Sequence, residues 1–278
     1  MPEPLDAQVY RDLVRQALAE DLGSGDLTTR AIVPAGQTAS GMFLAKRACV
    51  VAGLELAREV FRQIDPLVVF LGEVQDGHVC SAGTVIARVN GPAAALLVGE
   101  RTALNFLQWL SGVATETHRF VEAAAGRINV LDTRKTVPTL RAVLKYAVRC
   151  GGGVNHRMGL YDGVLIKDNH IRLAGSIEEA VKRVRATGTR MEIEVEAQSL
   201  ADVDAAIAAG ADIIMLDNLD DGELRDAIAR IARRAHVEIS GGVTLDRVHR
   251  IAALGADDVS VGAITHSAPA ADISLEIE

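Results

Sequence analysis

A short strand-like run followed by a helical pattern recurs six times in the second half of the chain, and this recurrence restricts the fold more than any other feature. The runs cover residues 128–131, 163–166, 191–195, 213–216, 237–239 and 259–261. The last four begin roughly 20 to 25 residues apart, the length of a βα unit with short loops. Parallel strands joined by crossover helices are therefore expected. The spacing alone allows either a barrel or an open doubly wound sheet. No GxGxxG or GxxxxGK[ST] fingerprint follows any run, and six units rather than eight favour a reduced or incomplete barrel.

The first half reads differently. Leu5, Val9, Leu13, Ala17 and Leu18 fall at helical spacing until Gly23-Ser24-Gly25 stops the pattern. Short β-rich runs follow at 42–44, 67–71 and 84–89, with a helix expected over 54–64, so this region predicts a small α+β domain. Pro92 opens a long helical region through Ala125, with an interruption expected at Ser111-Gly112. The domain boundary is placed there, giving 1–112 and 113–266. A length of 278 residues suits one large and one small domain, and 49% hydrophobic residues with only 3% aromatics suit α/β construction.

The net charge of −8 argues against nucleic acid as a general partner, because phosphate-backbone binding needs a basic face. Distribution matters more. Between Thr133 and Arg172 lie Arg134, Lys135, Arg141, Lys145, Arg149, Arg157, Lys167 and Arg172 against Asp162 and Asp168 only, a net +6 that leaves −14 for the remainder. A local basic field in an acidic chain points to a small, multiply anionic ligand. The opening Met1-Pro2-Glu3-Pro4-Leu5-Asp6 has no basic leader, and no stretch reaches the ~18 apolar residues of a membrane span. Cys49, Cys80 and Cys150 form no CxxC pair and are odd in number, so buried thiols in a reducing cytoplasm are expected.

Ligands of parallel α/β folds bind at the carboxyl ends of the strands. Here those ends read Asp132-Thr133-Arg134-Lys135, Lys167-Asp168-Asn169, Glu194 with Glu196, Asp217-Asn218, Ser240-Gly241-Gly242 and Gly262-Ala263-Ile264. All six are polar, charged or glycine-rich. The last two are rich in backbone N–H groups and precede a helix or turn, as in a phosphate cradle, although tight turns also need glycine. Glu196 and Asp217 suit Mg²⁺ binding or stabilisation of positive charge at a sugar carbon. Lys167 reads as an anion ligand, a Schiff-base nucleophile or a partner of Asp168. Residues 151–157 read as a flexible loop ending in His156 and Arg157, of which Arg157 can grip a carboxylate in bidentate fashion.

These segments resemble the quinolinate phosphoribosyltransferase family. The resemblance rests on Asp132-Thr133-Arg134-Lys135-Thr136, Gly152-Gly153-Val154-Asn155-His156-Arg157 and Leu165-Ile166-Lys167-Asp168-Asn169-His170. It extends through Glu20-Asp21, Gly25-Asp26, Gly99-Glu100-Arg101-Thr102-Ala103-Leu104-Asn105, Glu194-Val195-Glu196, Met215-Leu216-Asp217-Asn218, Ser240-Gly241-Gly242 and Gly262. One stretch departs from the family pattern: Lys46-Arg47-Ala48-Cys49 stands where an acidic residue and glycine are expected.

The resemblance implies an N-terminal α+β sandwich domain, then an open six-stranded parallel α/β barrel, with residues from about 267 to 278 returning to the first domain. It implies Arg101, Thr133, Arg134, Lys135, His156, Arg157 and Lys167 around the substrate carboxylates and pyrophosphate. Glu196 and Asp217 would serve the ribose and Mg²⁺, with Lys135, Lys167, Glu196 and Asp217 closest to the chemistry. Ser240, Gly241, Gly242, Gly262, Ala263, Ile264 and His266 would hold the 5′-phosphate. A homodimer or larger homo-oligomer is implied, with Arg101 crossing the interface. The family reaction joins quinolinate to phosphoribosyl pyrophosphate, giving nicotinate mononucleotide, pyrophosphate and CO₂ in NAD biosynthesis. Three rivals stand beside it: transfer to nicotinate without decarboxylation, a Lys167 aldolase or lyase, and a non-enzymatic relative associated with oxyanion transport.

Overall fold

The computed structural model describes residues 3–278. The opening helical spacing forms α1 (Ala7–Leu22), capped by Asp6, whose carboxylate accepts from the Gln8 amide. Next come α2 (Leu27–Ile32), β1 (Thr38–Ala45), β2 (Cys49–Val50), α3 (Leu54–Ile64), β3 (Val69–Gly72), β4 (Val79–Cys80), β5 (Val85–Pro92) and α4 (Ala93–Ala124). Then β6 (Asn129–Leu131), α5 (Arg141–Cys150), β7 (Val164–Ile166), α6 (Asp168–Ala174), α7 (Ile177–Ala186), β8 (Ile193–Ala197) and α8 (Leu200–Ala208) follow. The chain ends with β9 (Ile213–Asp217), α9 (Asp221–Ile231), β10 (His236–Ser240), α10 (Leu245–Ile251), β11 (Asp258–Ser260), α11 (Ala263–His266) and β12 (Ile273–Ile277).

These elements form two compact units. One takes the chain up to His118 with Thr136–Gly152 and Ile264–Glu278; the other takes Arg119–Lys135 and Gly153–Ala263. In the first, an antiparallel sheet runs β12-β1-β5-β3, so the C-terminal strand pairs with β1. Phe43, Phe61 and Phe70 gather in its core with ring centroids 5.6 to 6.2 Å apart, an edge-and-stack cluster that fixes α3 on the sheet. α3 is capped from a distance, since Asp76 accepts from the Gly53 and Leu54 amides and from the Tyr146 hydroxyl at 2.7 Å. Cys49 faces Cys80 across β2 and β4; both are free and buried, and burial pushes the Cys49 thiol up to about 11.

The interruption expected at Ser111-Gly112 is absent, because α4 runs unbroken for 32 residues. Both residues are there for close packing. Ser111 Oγ accepts from the Ala52 amide at 3.0 Å, and a Cβ on Gly112 would stand 2.1 Å from the Pro269 carbonyl oxygen. The segment before β12 is pinned beside them, with the Ala271 amide donating to the Gln108 carbonyl at 2.8 Å. The compact unit therefore continues past Gly112 to His118.

The second unit is an all-parallel sheet in the order β6-β11-β10-β9-β8-β7, each strand within two residues of its sequence-based bounds. Val195, Ile214, Leu216, Ile239 and Val259 on one face are fully buried. The alternate face carries Glu194, Glu196, Met215 and Glu238, aligned by the pairings Glu196 with Met215 and Met215 with Glu238. Residues after β6 and residues of β7, the two edges, line one cavity, so the sheet curls into an open barrel. Val154 lies parallel to Leu131 and extends the β6 edge.

Gly112→Ala should lower stability by about 1–3 kcal/mol, because the methyl group meets main chain and cannot be relieved by a rotamer change. Differential scanning calorimetry would read this as a fall in Tm; an unchanged or raised Tm would show that α4 tolerates the group.

Candidate active site

At the carboxyl ends of the parallel strands a cavity of about 300 Å³ is lined by Thr133, Arg134, Lys135, His156, Arg157, Leu165, Lys167, Met215, Ser240 and Ser260. Seven of the expected site residues thus meet in one wall. Period two explains the selection: Leu165 and Lys167, Met215 and Ser240 point inward from their strands while their neighbours pack outward.

Asp132 holds the first corner. It is fully buried, and its carboxylate accepts from Asn155 Nδ2 at 2.6 Å and from the His156 amide at 3.0 Å. The Val154 amide also donates to the Val130 carbonyl at 2.8 Å, so the segment read as a flexible loop is stitched to β6 over its second half. Thr133 Oγ1 accepts from the Lys135 amide at 3.0 Å and shapes the turn presenting Arg134 and Lys135.

His156 has both ring nitrogens engaged. Nδ1 accepts from the Arg157 amide at 2.7 Å, while Nε2 lies 3.3 Å from Glu194 Oε2 and 3.5 Å from Glu238 Oε2. Burial, followed by the charge of Glu194, pushes the Glu238 carboxyl up to about 8. Arg157 donates from Nη1 to the Gly163 carbonyl at 3.1 Å, and burial with the like charge of Arg134 lowers the pKa of its guanidinium.

Lys167 Nζ lies 2.6 Å from Glu196 Oε2, and Gln198 Nε2 reaches Glu196 Oε1 at 3.2 Å. The Lys167 partner is therefore Glu196, and the Asp168 carboxylate instead accepts from the Asn169 amide at 2.7 Å. Asp217 ends β9 on the same inward face and accepts from Asn218 Nδ2 at 2.7 Å.

The glycine-rich ends differ in backbone. Gly241 and Gly242 have φ of 89° and 58°, and a Cβ on Gly241 would stand 2.2 Å from Asn218 Oδ1, so glycine is required there. Gly262 precedes α11, where Ala263 opens the turn and Ile264 is fully buried. His266 is exposed, with Nδ1 2.6 Å from Ser267 Oγ. Arg101 is exposed on α4 and is not among the residues lining the cavity.

Asn155, Glu238 and Ser260 were not singled out as site residues from sequence. For Glu238 the signal is alternation: in His236-Val237-Glu238-Ile239-Ser240 it shares parity with the strand-end serine.

An incomplete parallel barrel with Arg and Lys side chains at its mouth and carboxylates on its inner face has the layout of an α/β-barrel enzyme. Family models for the N-terminal and C-terminal domains of quinolinate phosphoribosyl transferase match residues 26–111 and 113–276. The chain is 43% identical over 269 residues to a probable carboxylating nicotinate-nucleotide pyrophosphorylase of Bacillus subtilis, covering 96% of this chain and 93% of that one. It is 42% identical to the corresponding protein of Mycobacterium leprae, with 96% of each covered. The crystal structure of NadC from Streptococcus pyogenes superposes with a TM-score of 0.96 at 42% identity, over 99% of both chains. The chain belongs to the quinolinate phosphoribosyl transferase family.

The Glu238 carboxyl sits above its ordinary value of 4.5, so the folded state resists its ionisation. Stability contributed by the protonated form is full below the unfolded value and is lost as pH rises towards about 8. Glu238→Gln removes that loss, so its Tm should gain on the wild type as pH rises from 5 to 9. A Tm difference that does not change with pH would show that Glu238 is ionised throughout.

Proposed function

We propose that this chain catalyses the reaction of its family, joining quinolinate to phosphoribosyl pyrophosphate with release of pyrophosphate and CO₂. The observation that carries this reading is the single cavity where Arg134, Lys135, Arg157 and Lys167 converge, because two ring carboxylates and a pyrophosphate need that density of cations. Transfer to nicotinate alone would leave part of the cluster unmatched. Lys167 Nζ is held 2.6 Å from Glu196 Oε2, a contact that carbonyl attack would have to break, which disfavours a Schiff-base lyase. The combined inner carboxylates and phosphate cradles disfavour a binding protein without turnover.

In this reading Arg134, Arg157 and Lys167 orient the pyridine ring so that its nitrogen faces the sugar carbon, and Lys135 faces the departing pyrophosphate. Glu196 and Asp217 stabilise positive charge as the glycosidic bond forms and the carbon–oxygen bond breaks. As the ring carboxylate leaves as CO₂, the cationic ring holds the electron pair of the broken carbon–carbon bond, and a proton from solvent then forms the C–H bond at that ring carbon, so no organic cofactor is needed. Ser240, Gly241, Gly242, Gly262, Ala263 and Ile264 offer main-chain N–H groups and a hydroxyl to the 5′-phosphate, with His266 beside them. Mg²⁺ fits the hard oxygen donors of Glu196 and Asp217, and would supply neutralisation of pyrophosphate charge there. Arg101 completes the site of a neighbouring copy in a homodimer or larger homo-oligomer. Three free buried thiols support action in the cytoplasm.

The test is CO₂ release from carboxyl-labelled quinolinate with phosphoribosyl pyrophosphate and Mg²⁺, run beside a nicotinate control. Release dependent on both substrates is expected; nucleotide from nicotinate without CO₂ would overturn the assignment. Arg134→Ala and Lys167→Ala should each lower kcat/KM by about 10²-fold or more while remaining folded, with a double loss smaller than the product. Near-normal kcat/KM in both would remove these residues from the site.

A further inference from the structure

We propose that Glu194 and Glu238 are positioning residues, clamping the His156 ring and, through it, the main chain that aims Arg157 into the substrate cavity. The consequence drawn for the substrate rests on the reading above, in which that cavity takes a dicarboxylate.

The clamp is read from the two sides of one segment. From the β6 side, Asp132 accepts from the His156 amide and Asn155 Nδ2. From the opposite side, Glu194 of β8 and Glu238 of β10 approach the ring, although β9 separates those strands. Since an amide N–H donates only to an unprotonated ring nitrogen, the 2.7 Å contact from the Arg157 amide to Nδ1 places the ring proton on Nε2. Nε2–H then faces the two carboxylates, and Nδ1 fixes the Arg157 amide. Turning the ring would release both contacts at once.

The cluster is buried and incompletely satisfied. Glu194 is 5% and Glu238 3% exposed, and the Oε1 atom of each has no hydrogen-bond partner among the described residues. His156, Glu194 and Glu238 each bring one ligand-type atom within 4.8 Å of the others. A proton or a cation must offset two carboxylates held so close. The tautomer favours a proton, because Nε2 carries hydrogen and has no lone pair for a metal. The groups facing Glu238 are Glu194, His156, Ser260 and Asp258, and its carboxyl is pushed up to about 8 in agreement with a proton held there. The Glu194–Glu238 pair then contributes one negative charge rather than two, which eases the approach of a dianion to the cations above it.

The experiment compares Glu238→Leu, matched roughly in size, with Glu238→Gln, which keeps a donor and an acceptor. Glu238→Leu should raise KM for quinolinate by about 10-fold to 100-fold while KM for phosphoribosyl pyrophosphate stays within about threefold, and Glu238→Gln should recover most of the loss. Unchanged quinolinate KM in Glu238→Leu, or a uniform fall in kcat with both KM values constant, would overturn the proposal. So would an equimolar divalent cation in the purified wild type that is lost in Glu238→Gln. Nitrogen spectra of histidine-labelled protein provide the independent measurement: His156 should be the Nε2–H tautomer in wild type and Glu238→Gln, and an Nδ1–H tautomer in the wild type would sink the clamp. Those spectra decide the matter if Glu238→Leu does not fold. Absence of turnover by the wild type would instead defeat the proposed reaction and leave the spectra to judge the clamp.

Discussion

Three carboxylates on the inner face of a parallel barrel, Glu194, Glu196 and Glu238, set the constraint that the second unit satisfies. A buried carboxylate is tolerated only when a cation, proton or set of donors meets it. Lys167 follows β7, one edge of the sheet, and meets Glu196. His156 lies on the segment that extends the other edge, β6, and meets Glu194 and Glu238. Neutralising the inner charge therefore ties both edges of an open sheet to its middle strands. Hydrophobic filling of the same space would be at least as stable, but would leave a plugged core with no place for an anion.

The same constraint explains why residues 151–157 cannot be a simple linker. Glycine opens the segment, with Gly152 at φ 87°, but from Val154 onward each residue is committed: Val154 to β6, Asn155 and His156 to Asp132, Arg157 to Gly163. Flexibility in the first half serves placement of the second. The sequence departure at Lys46-Arg47 has a comparably local account, since Lys46 meets Glu276 at 2.9 Å and Arg47 meets Asp272 at 3.8 Å beside β12.

Much of the fold was legible because its signals are local. Strand length, turn glycines and aliphatic runs located all six parallel strands, and the α3 bounds follow from Gly53 before it and Asp65 after it. Signals that depend on distant chain were misread or silent. Gly112 resembles a helix break until the Pro269 carbonyl is seen against it. Glu238 resembles an ordinary strand residue until β8 and the His156 segment bring two more ligand-type atoms beside it. The basic stretch from Thr133 to Arg172 likewise reads as one field. In space, Arg141, Lys145 and Arg149 belong to α5 in the other compact unit, with Lys145 fully buried, while Arg134, Lys135, Arg157 and Lys167 share the cavity.

That division sharpens the electrostatic argument for the site. With Lys167 committed to Glu196, Arg134, Lys135 and Arg157 attract an anion only if the carboxylates beneath do not cancel them. Glu196 meets Lys167, Asp132 accepts from Asn155 and the His156 amide, and Asp217 accepts from Asn218, while Glu194 and Glu238 lie together against the His156 ring. A neutral imidazole cannot offset two carboxylates, so a proton on Glu238 makes the potential that an approaching dianion meets less negative. Burial, the same property that makes this cluster expensive to fold, is what retains that proton near neutral pH. The positioning of Arg157 and the charge presented to the substrate are thus two consequences of one buried arrangement.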